Sequence, residues 1–251
     1  VKKNLTYGSA PGADGKPEAL KLDLYQPKGD TAKKRPVVIW VHGGGFSSGD
    51  KSSGPAPDLA TYFAKLGYVT ASINYRLLLK SGCSGADGVT PACYDAALKD
   101  VADGQASVRW MRANAKRYRL DGTRIGIGGE SAGAIMACGA GVRSATPGDS
   151  GNPGFSSRVQ GFVSISGGLP NGLFVDAHTA PGLLFHGTAD NVVPYDWSVQ
   201  TRDKMRQFGV PVTLKTLPGA GHVPYAQYGG VMRSMSATFL YKTLRVSKLK
   251  G

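Results

Sequence analysis

The chain is short of cysteine, histidine and acid. Three cysteines in 251 residues cannot staple a small coreless scaffold, and no pair of them stands beside a His or Cys pair at metal-site spacing. Four histidines leave few candidates for a group that moves protons near neutral pH. No run approaches the roughly 18 consecutive apolar residues of a membrane span, and Val1-Lys2-Lys3-Asn4 holds no apolar signal core. Neither an internal repeat nor a groove-reading nucleic-acid motif is present. Against 17 Asp and Glu stand 30 Lys and Arg, a net charge of +13. An anionic partner would suit that excess. Yet the basic residues are scattered, with Lys33-Lys34-Arg35 and Arg117-Tyr118-Arg119 the densest groups, so a solvated surface is the simpler expectation. Hydrophobic residues make up 41% of the chain, enough for the core of one domain over residues 1–251.

Apolar runs and helical periods alternate along that length. Lys2–Tyr7 and Leu20–Tyr25 read as antiparallel edge strands around a Gly/Pro/Asp turn. Val37–Val41, Tyr68–Tyr75, Arg124–Ile127, Val159–Ser166, Gly182–Phe185 and Val212–Leu217 read as strands, most of them short and buried. Helical spacing covers Pro57–Leu66, Asp95 to about Ala115, Tyr195–Phe208 and Tyr225–Leu244. Strand and helix in turn predict a mostly parallel α/β sheet with helices on both faces.

Gly128-Gly129-Glu130-Ser131-Ala132-Gly133 lies between a strand and a small-residue helix. A G-x-S-x-G string there predicts a sharp turn that exposes the hydroxyl of Ser131, the candidate nucleophile. A serine needs a base, and the base needs an acid to orient it. His222 follows a strand, in Gly219-Ala220-Gly221-His222-Val223-Pro224, and Asp190 follows another, in His186-Gly187-Thr188-Ala189-Asp190. The rival acids fit less well: Asp196 has the position of a helix N-cap, and Asp176 precedes its strand. His42 is expected to brace its loop, His186 to be a satisfied core residue, His178 to sit on a polar loop, and Glu130 to turn away from the hydroxyl into a supporting hydrogen bond. Strand Val37–Val41 runs into His42-Gly43-Gly44-Gly45-Phe46, whose N–H groups at Gly44 and Gly45, with that of Ala132, could hold an oxyanion.

The order Ser131, Asp190, His222 with an H-G-G-G loop upstream resembles the α/β-hydrolase superfamily, and within it the carboxylesterases of the hormone-sensitive-lipase type, which also carry a strand ending like Ser72-Ile73-Asn74-Tyr75-Arg76. The resemblance runs from about Leu20 to Leu244. It implies ester hydrolysis through an acyl-enzyme, with no cofactor and no metal. A serine peptidase of the prolyl-oligopeptidase kind and a non-catalytic binding protein on the same fold are the alternatives; the first usually brings a propeller domain, and the second typically loses the serine or histidine.

Cys83 and Cys93 bracket a polar, glycine-rich loop, the arrangement a disulfide staples, which would fit a secreted or periplasmic protein. Cys138 is expected in the core. Only Gly167–Ala180 separates Ser166 from the strand before Asp190, too little for a cap domain. An open cleft walled by Cys83–Cys93 and Arg143–Arg158 is therefore expected. Such a cleft suits short-acyl or aromatic esters, small or polymeric, such as plant cell-wall acetyl or feruloyl esters and aromatic polyesters.

Overall fold

A computed structural model describes residues 1–29, 31–85, 88–143, 148 and 150–246. Eight strands form one sheet: β1 (Lys2–Pro11), β2 (Pro17–Tyr25), β3 (Arg35–Val41), β4 (Val69–Ile73), β5 (Leu120–Glu130), β6 (Gly161–Ile165), β7 (Gly182–Gly187) and β8 (Val212–Leu217). Their order in space is β1-β2-β4-β3-β5-β6-β7-β8. The hairpin β1/β2 is antiparallel and joins β4 antiparallel; from β4 to β8 every pairing is parallel. The connecting helices are α1 (Ala56–Lys65), α2 (Pro91–Ala113), α3 (Ala115–Tyr118), α4 (Ala132–Val142), α5 (Tyr195–Gln207) and α6 (Tyr225–Thr243).

Both faces of the central strands are covered, which is why β3 is apolar at every position from Val37 to Val41. Val37, Ile39 and Val41 pack with Met111 of α2 and Met136 of α4, whereas Val38 and Trp40 pack with Phe63 of α1 and Leu240 of α6. Each fully buried side chain of this size contributes roughly 1.5–3 kcal/mol, so these two layers fix the register of β3 and with it the loop that follows.

One helix start and one cap differ from the sequence expectation. α2 begins at Pro91, four residues before the expected Asp95, because Thr90 caps it through Cys93 N–H → Oγ1 at 3.2 Å and Pro91 sits in its first turn. Cys93 is thus helical, and its disulfide to Cys83, with Cα atoms 5.9 Å apart, ties a loop to the first turn of α2. Asp196, expected as an N-cap, lies inside the first turn of α5; Pro194 takes the cap position and makes no side-chain cap bond. Its carboxylate there complements the helix dipole.

A buried ion pair anchors the end of β4. Arg76 reaches Asp103 of α2 through Nη2–Oδ1 at 2.9 Å and Nε → Oδ2 at 3.0 Å, and Ser150 donates to Asp103 Oδ1 at 2.5 Å. One turn away, Asp100 is buried with both carboxyl oxygens lacking a hydrogen-bond partner among the described residues. Burial raises its pKa well above the usual carboxylate range, and the neighbouring Asp103 adds to the effect.

Candidate active site

The elbow is built where β5 meets α4. Ser131 has φ 55° and ψ −121°, a conformation uncommon for any residue with a Cβ. It is held by Ser131 N–H → Ile165 O at 2.9 Å. The crossing requires close backbone approach: a Cβ on Gly133 would stand 2.3 Å from Val41 O and 2.5 Å from His42 O. Glycine at that position lets α4 start against the end of β3, which sets the serine beside the glycine loop.

Ser131 Oγ lies 2.8 Å from His222 Nε2, and His222 Nδ1 lies 2.8 Å from Asp190 Oδ2. With Nδ1–H donating to the carboxylate, Nε2 is free to accept from the serine hydroxyl. Asp190 Oδ1 accepts from the N–H groups of Val192 and Val193 at 2.9 and 3.0 Å. Burial by itself would raise the Asp190 pKa, but hydrogen bonds from His186, His222 and these two amides outweigh it and hold the carboxyl far below the ordinary range. The His222 loop is fastened by Val223 N–H → Ser166 Oγ at 3.0 Å, with both Val223 (φ 45°) and Ser166 (φ 54°) in the left-handed region. For a β-branched valine that backbone is strained.

The glycine loop after β3 turns through Gly44 at φ +113°, where a Cβ would lie 2.0 Å from Ser48 O. Its shape is held from below. Gly43 N–H donates to Glu130 Oε1 at 2.7 Å and Tyr75 Oη–H donates to Gly43 O at 2.8 Å. The His42 ring stacks on Tyr75 with centroids 4.4 Å apart, and His42 Nδ1 is 2.6 Å from Gly43 O. Burial lowers the pKa of His42, consistent with a neutral bracing ring. Burial raises that of Glu130, whose bond to Gly43 partly offsets it.

A cleft opens beside Ser131, lined by Gly45, Ala132, Ile135, Val101, Leu173 and Trp197 among others, and its walls are almost wholly apolar. Of the oxyanion candidates, Gly45 and Ala132 line this cleft, and Gly44 stands one residue upstream in the same loop. The disulfide loop forms one wall through Cys83, Ser84, Gly85, Gly88, Val89 and Cys93, docked to the α5 side by Gly85 N–H → Val192 O at 2.8 Å. The other expected wall, Arg143–Arg158, contributes only Arg143 among the described residues; Ser144–Pro147 and Asp149 lie outside them. Ser150 instead points to Asp103. The wall is made by Leu169, Pro170, Leu173 and Phe174, around a 3-10 turn over Pro170–Gly172, with Arg143 4.4 Å from the centre of the Phe174 ring. That short, proline- and glycine-bearing stretch has no periodicity to mark it in the sequence.

Asp176 and His178 form their own turn, His178 N–H → Asp176 Oδ1 at 2.8 Å. Cys138 is buried in α4, where burial pushes its thiol up to about 12 and makes it inert. Among the described residues no group of three or more His, Cys, Asp or Glu is placed to hold a metal ion. No described helix is long and apolar enough to cross a membrane.

A mostly parallel sheet with helices on both faces and a positive-φ serine at the strand-to-helix turn defines an α/β-hydrolase. The chain belongs to the carboxylesterases of that fold: it matches the family described as BD-FAE over residues 22–166 and that described as Phospholipase/Carboxylesterase over residues 105–244. It is 32% identical over 117 residues to gut esterase 1 of Caenorhabditis elegans, covering 47% of this chain and 20% of that one. The chain thus spans about a fifth of that relative's length. The fold is similar to that of a propionate-bound thermophilic esterase 2 of Thermogutta terrifontis (TM-score 0.77, 21% identity, 96% of this chain and 94% of that one). It is also similar to that of a truncated carbohydrate esterase from gut microbiota (TM-score 0.75, 23% identity, 97% and 95%).

Proposed function

We propose that the protein is a serine carboxylesterase in which Ser131 is the nucleophile, His222 the general base and acid, and Asp190 the group that orients His222. The observation that carries this reading is the hydrogen-bonded line from Ser131 Oγ to His222 to Asp190 at 2.8 Å per step, ending on a serine that lines a cleft. His222 takes the hydroxyl proton as Ser131 Oγ attacks the ester carbonyl carbon. The oxyanion that forms is held by the N–H groups of Gly44, Gly45 and Ala132. Asp190 stabilises the imidazolium, which then protonates the leaving alcohol. Water, deprotonated by His222, attacks the acyl-enzyme, and collapse of the second tetrahedral intermediate frees the acid and Ser131. The cycle balances without a cofactor.

The substrates we infer are short-acyl or aromatic esters, carried on small or polymeric alcohols. The apolar cleft beside Ser131 fits the acyl group, and the propionate in a structural neighbour is consistent with a short one. Among the described residues the β6–β7 connection holds only the 3-10 turn, which supports a cleft open to large alcohols. The Cys83–Cys93 disulfide supports a site of action in an oxidising, extracytoplasmic compartment. A series of p-nitrophenyl esters from acetate to laurate, with feruloyl esters, tests the assignment. Turnover highest at two to four carbons or on the aromatic acyl group is expected. A maximum at twelve carbons with interfacial activation would overturn the substrate class, and no turnover of any ester would overturn the activity.

A further inference from the structure

We propose that His186 is a positioning residue for this reaction: it holds and tempers the carboxylate of Asp190 on which His222 depends. The inference rests on the assignment of Ser131, His222 and Asp190 above. His186 is the penultimate residue of β7 and is fully buried. Its Nε2 lies 3.1 Å from Asp190 Oδ2, the same oxygen that meets His222 Nδ1 at 2.8 Å, and 3.0 Å from Val193 O. A nitrogen facing a carboxylate and a carbonyl must carry a proton, so the Nε2–H form is fixed. The other nitrogen, Nδ1, is 2.7 Å from Ser198 Oγ on α5. Ser198 Oγ also donates to Gly167 O at 2.6 Å, a carbonyl that accepts from Ser164 Oγ at 2.8 Å as well, so Ser198 ties the ring to the end of β6. Both ring nitrogens therefore have partners, with one bond directed at the candidate acid.

The consequence falls on Asp190. Its two oxygens offer about four lone-pair positions, and four donors occupy them: Val192 and Val193 N–H at Oδ1, His222 and His186 at Oδ2. The carboxylate is locked in one rotamer, and its charge is shared between two imidazoles instead of being given to one. His186 also links that carboxylate to α5, through Ser198, and its ring meets Tyr195 edge-on at 5.8 Å. Among the described residues Glu130 also interacts with His222 through its charge, from the end of β5. A histidine that only filled space would need none of these bonds.

The test compares His186→Leu, which keeps bulk but cannot donate, with His186→Gln, whose amide can donate from a similar position. His186→Leu should lower kcat roughly 10- to 100-fold, short of the ~10⁴-fold expected for losing the orienting acid. KM should stay unchanged, and the acidic limb of kcat/KM should move to higher pH, because the undiluted Asp190 charge favours the imidazolium. His186→Gln should restore most of kcat and return the limb toward the wild-type position. A folded His186→Leu with wild-type kcat and pH profile would overturn the proposal, as would a kcat loss shared equally by the Gln variant with no limb shift. Should His186→Leu fail to fold, Ser198→Ala, which removes the Nδ1 partner together with the bond to Gly167 O, should lower kcat and shift the limb the same way, and an unchanged profile there would count against the idea. Persistence of ester turnover in Ser131→Ala would instead strike at the underlying assignment, so the two failures are separable.

Discussion

Glu130 Oε1 and the N–H of Gly43 meet at 2.7 Å, so the residue before the candidate nucleophile holds the loop that faces it. A Cβ on Gly43 would lie 2.5 Å from Glu130 Oε2, which shows how closely the loop is seated on that carboxyl. The elbow and the glycine loop are thus joined directly. Glu130→Ala should lower kcat for p-nitrophenyl acetate by about 10²-fold while leaving KM nearly unchanged, because it would displace the N–H groups proposed to hold the oxyanion. Glu130→Gln, which retains an acceptor for Gly43, should lose much less. Steady-state kinetics of the two variants checks this.

The disulfide should matter to stability and to the site together. It closes a loop of sequence separation 10 and both of its cysteines line the cleft. Cys93→Ser should lower the unfolding free energy in urea by roughly 2–3 kcal/mol, and it should raise KM because the wall beside Ser131 loses its staple. Equilibrium unfolding and kinetics on the same preparation would report both effects.

Asp100 gives a pH-dependent prediction with a definite sign. Its folded pKa is raised above the unfolded value by burial, so the folded state holds its proton more tightly than the unfolded chain. Its stability contribution is complete below an unfolded pKa of about 3.9 and is lost as pH rises towards the folded pKa. Asp100→Asn does not titrate. Relative to wild type it should gain stability with increasing pH in that window, by up to roughly 1.4 kcal/mol per unit. Urea unfolding at pH 5 and pH 8 measures the gap, which should widen at pH 8.

The sequence was legible where chemistry constrains several neighbouring positions at once. G-x-S-x-G, the glycine loop and the order of Ser131, Asp190 and His222 need special backbone or special side chains, and such needs leave local marks. The central strands of the parallel sheet, β3 above all, were legible because both faces are buried and the run turns mostly apolar, and the half-exposed β8 was legible by its alternation. Contacts made only through space left no such mark. His186 reads as a core histidine, and it is one, but nothing in its neighbours announces that it touches Asp190. The Leu169–Phe174 wall is visible only after the chain has folded α5 and α4 around it. The early start of α2 shows a third case, in which Thr90 and Pro91 carried a cap signal that a weak apolar period overshadowed.

Loss of the acid should be milder than loss of the base. Asp190→Asn leaves an imidazole that can still reach Ser131, in a disfavoured tautomer, whereas His222→Ala removes the proton acceptor. Kinetics at pH 8 should rank residual kcat as Asp190→Asn above His222→Ala. A more damaging Asp196→Asn would reassign the acid.

The central claim is that Ser131 is the nucleophile, and a covalent trap tests it most directly. After incubation with diethyl p-nitrophenyl phosphate, intact-mass analysis and peptide mapping should find one diethylphosphoryl group, on Ser131, formed with loss of p-nitrophenol in step with loss of esterase activity. Ser131→Ala should remain folded, unlabelled and slower by roughly 10⁴- to 10⁶-fold. Labelling at another residue, or ester turnover that survives in Ser131→Ala at near the wild-type rate, would contradict the account.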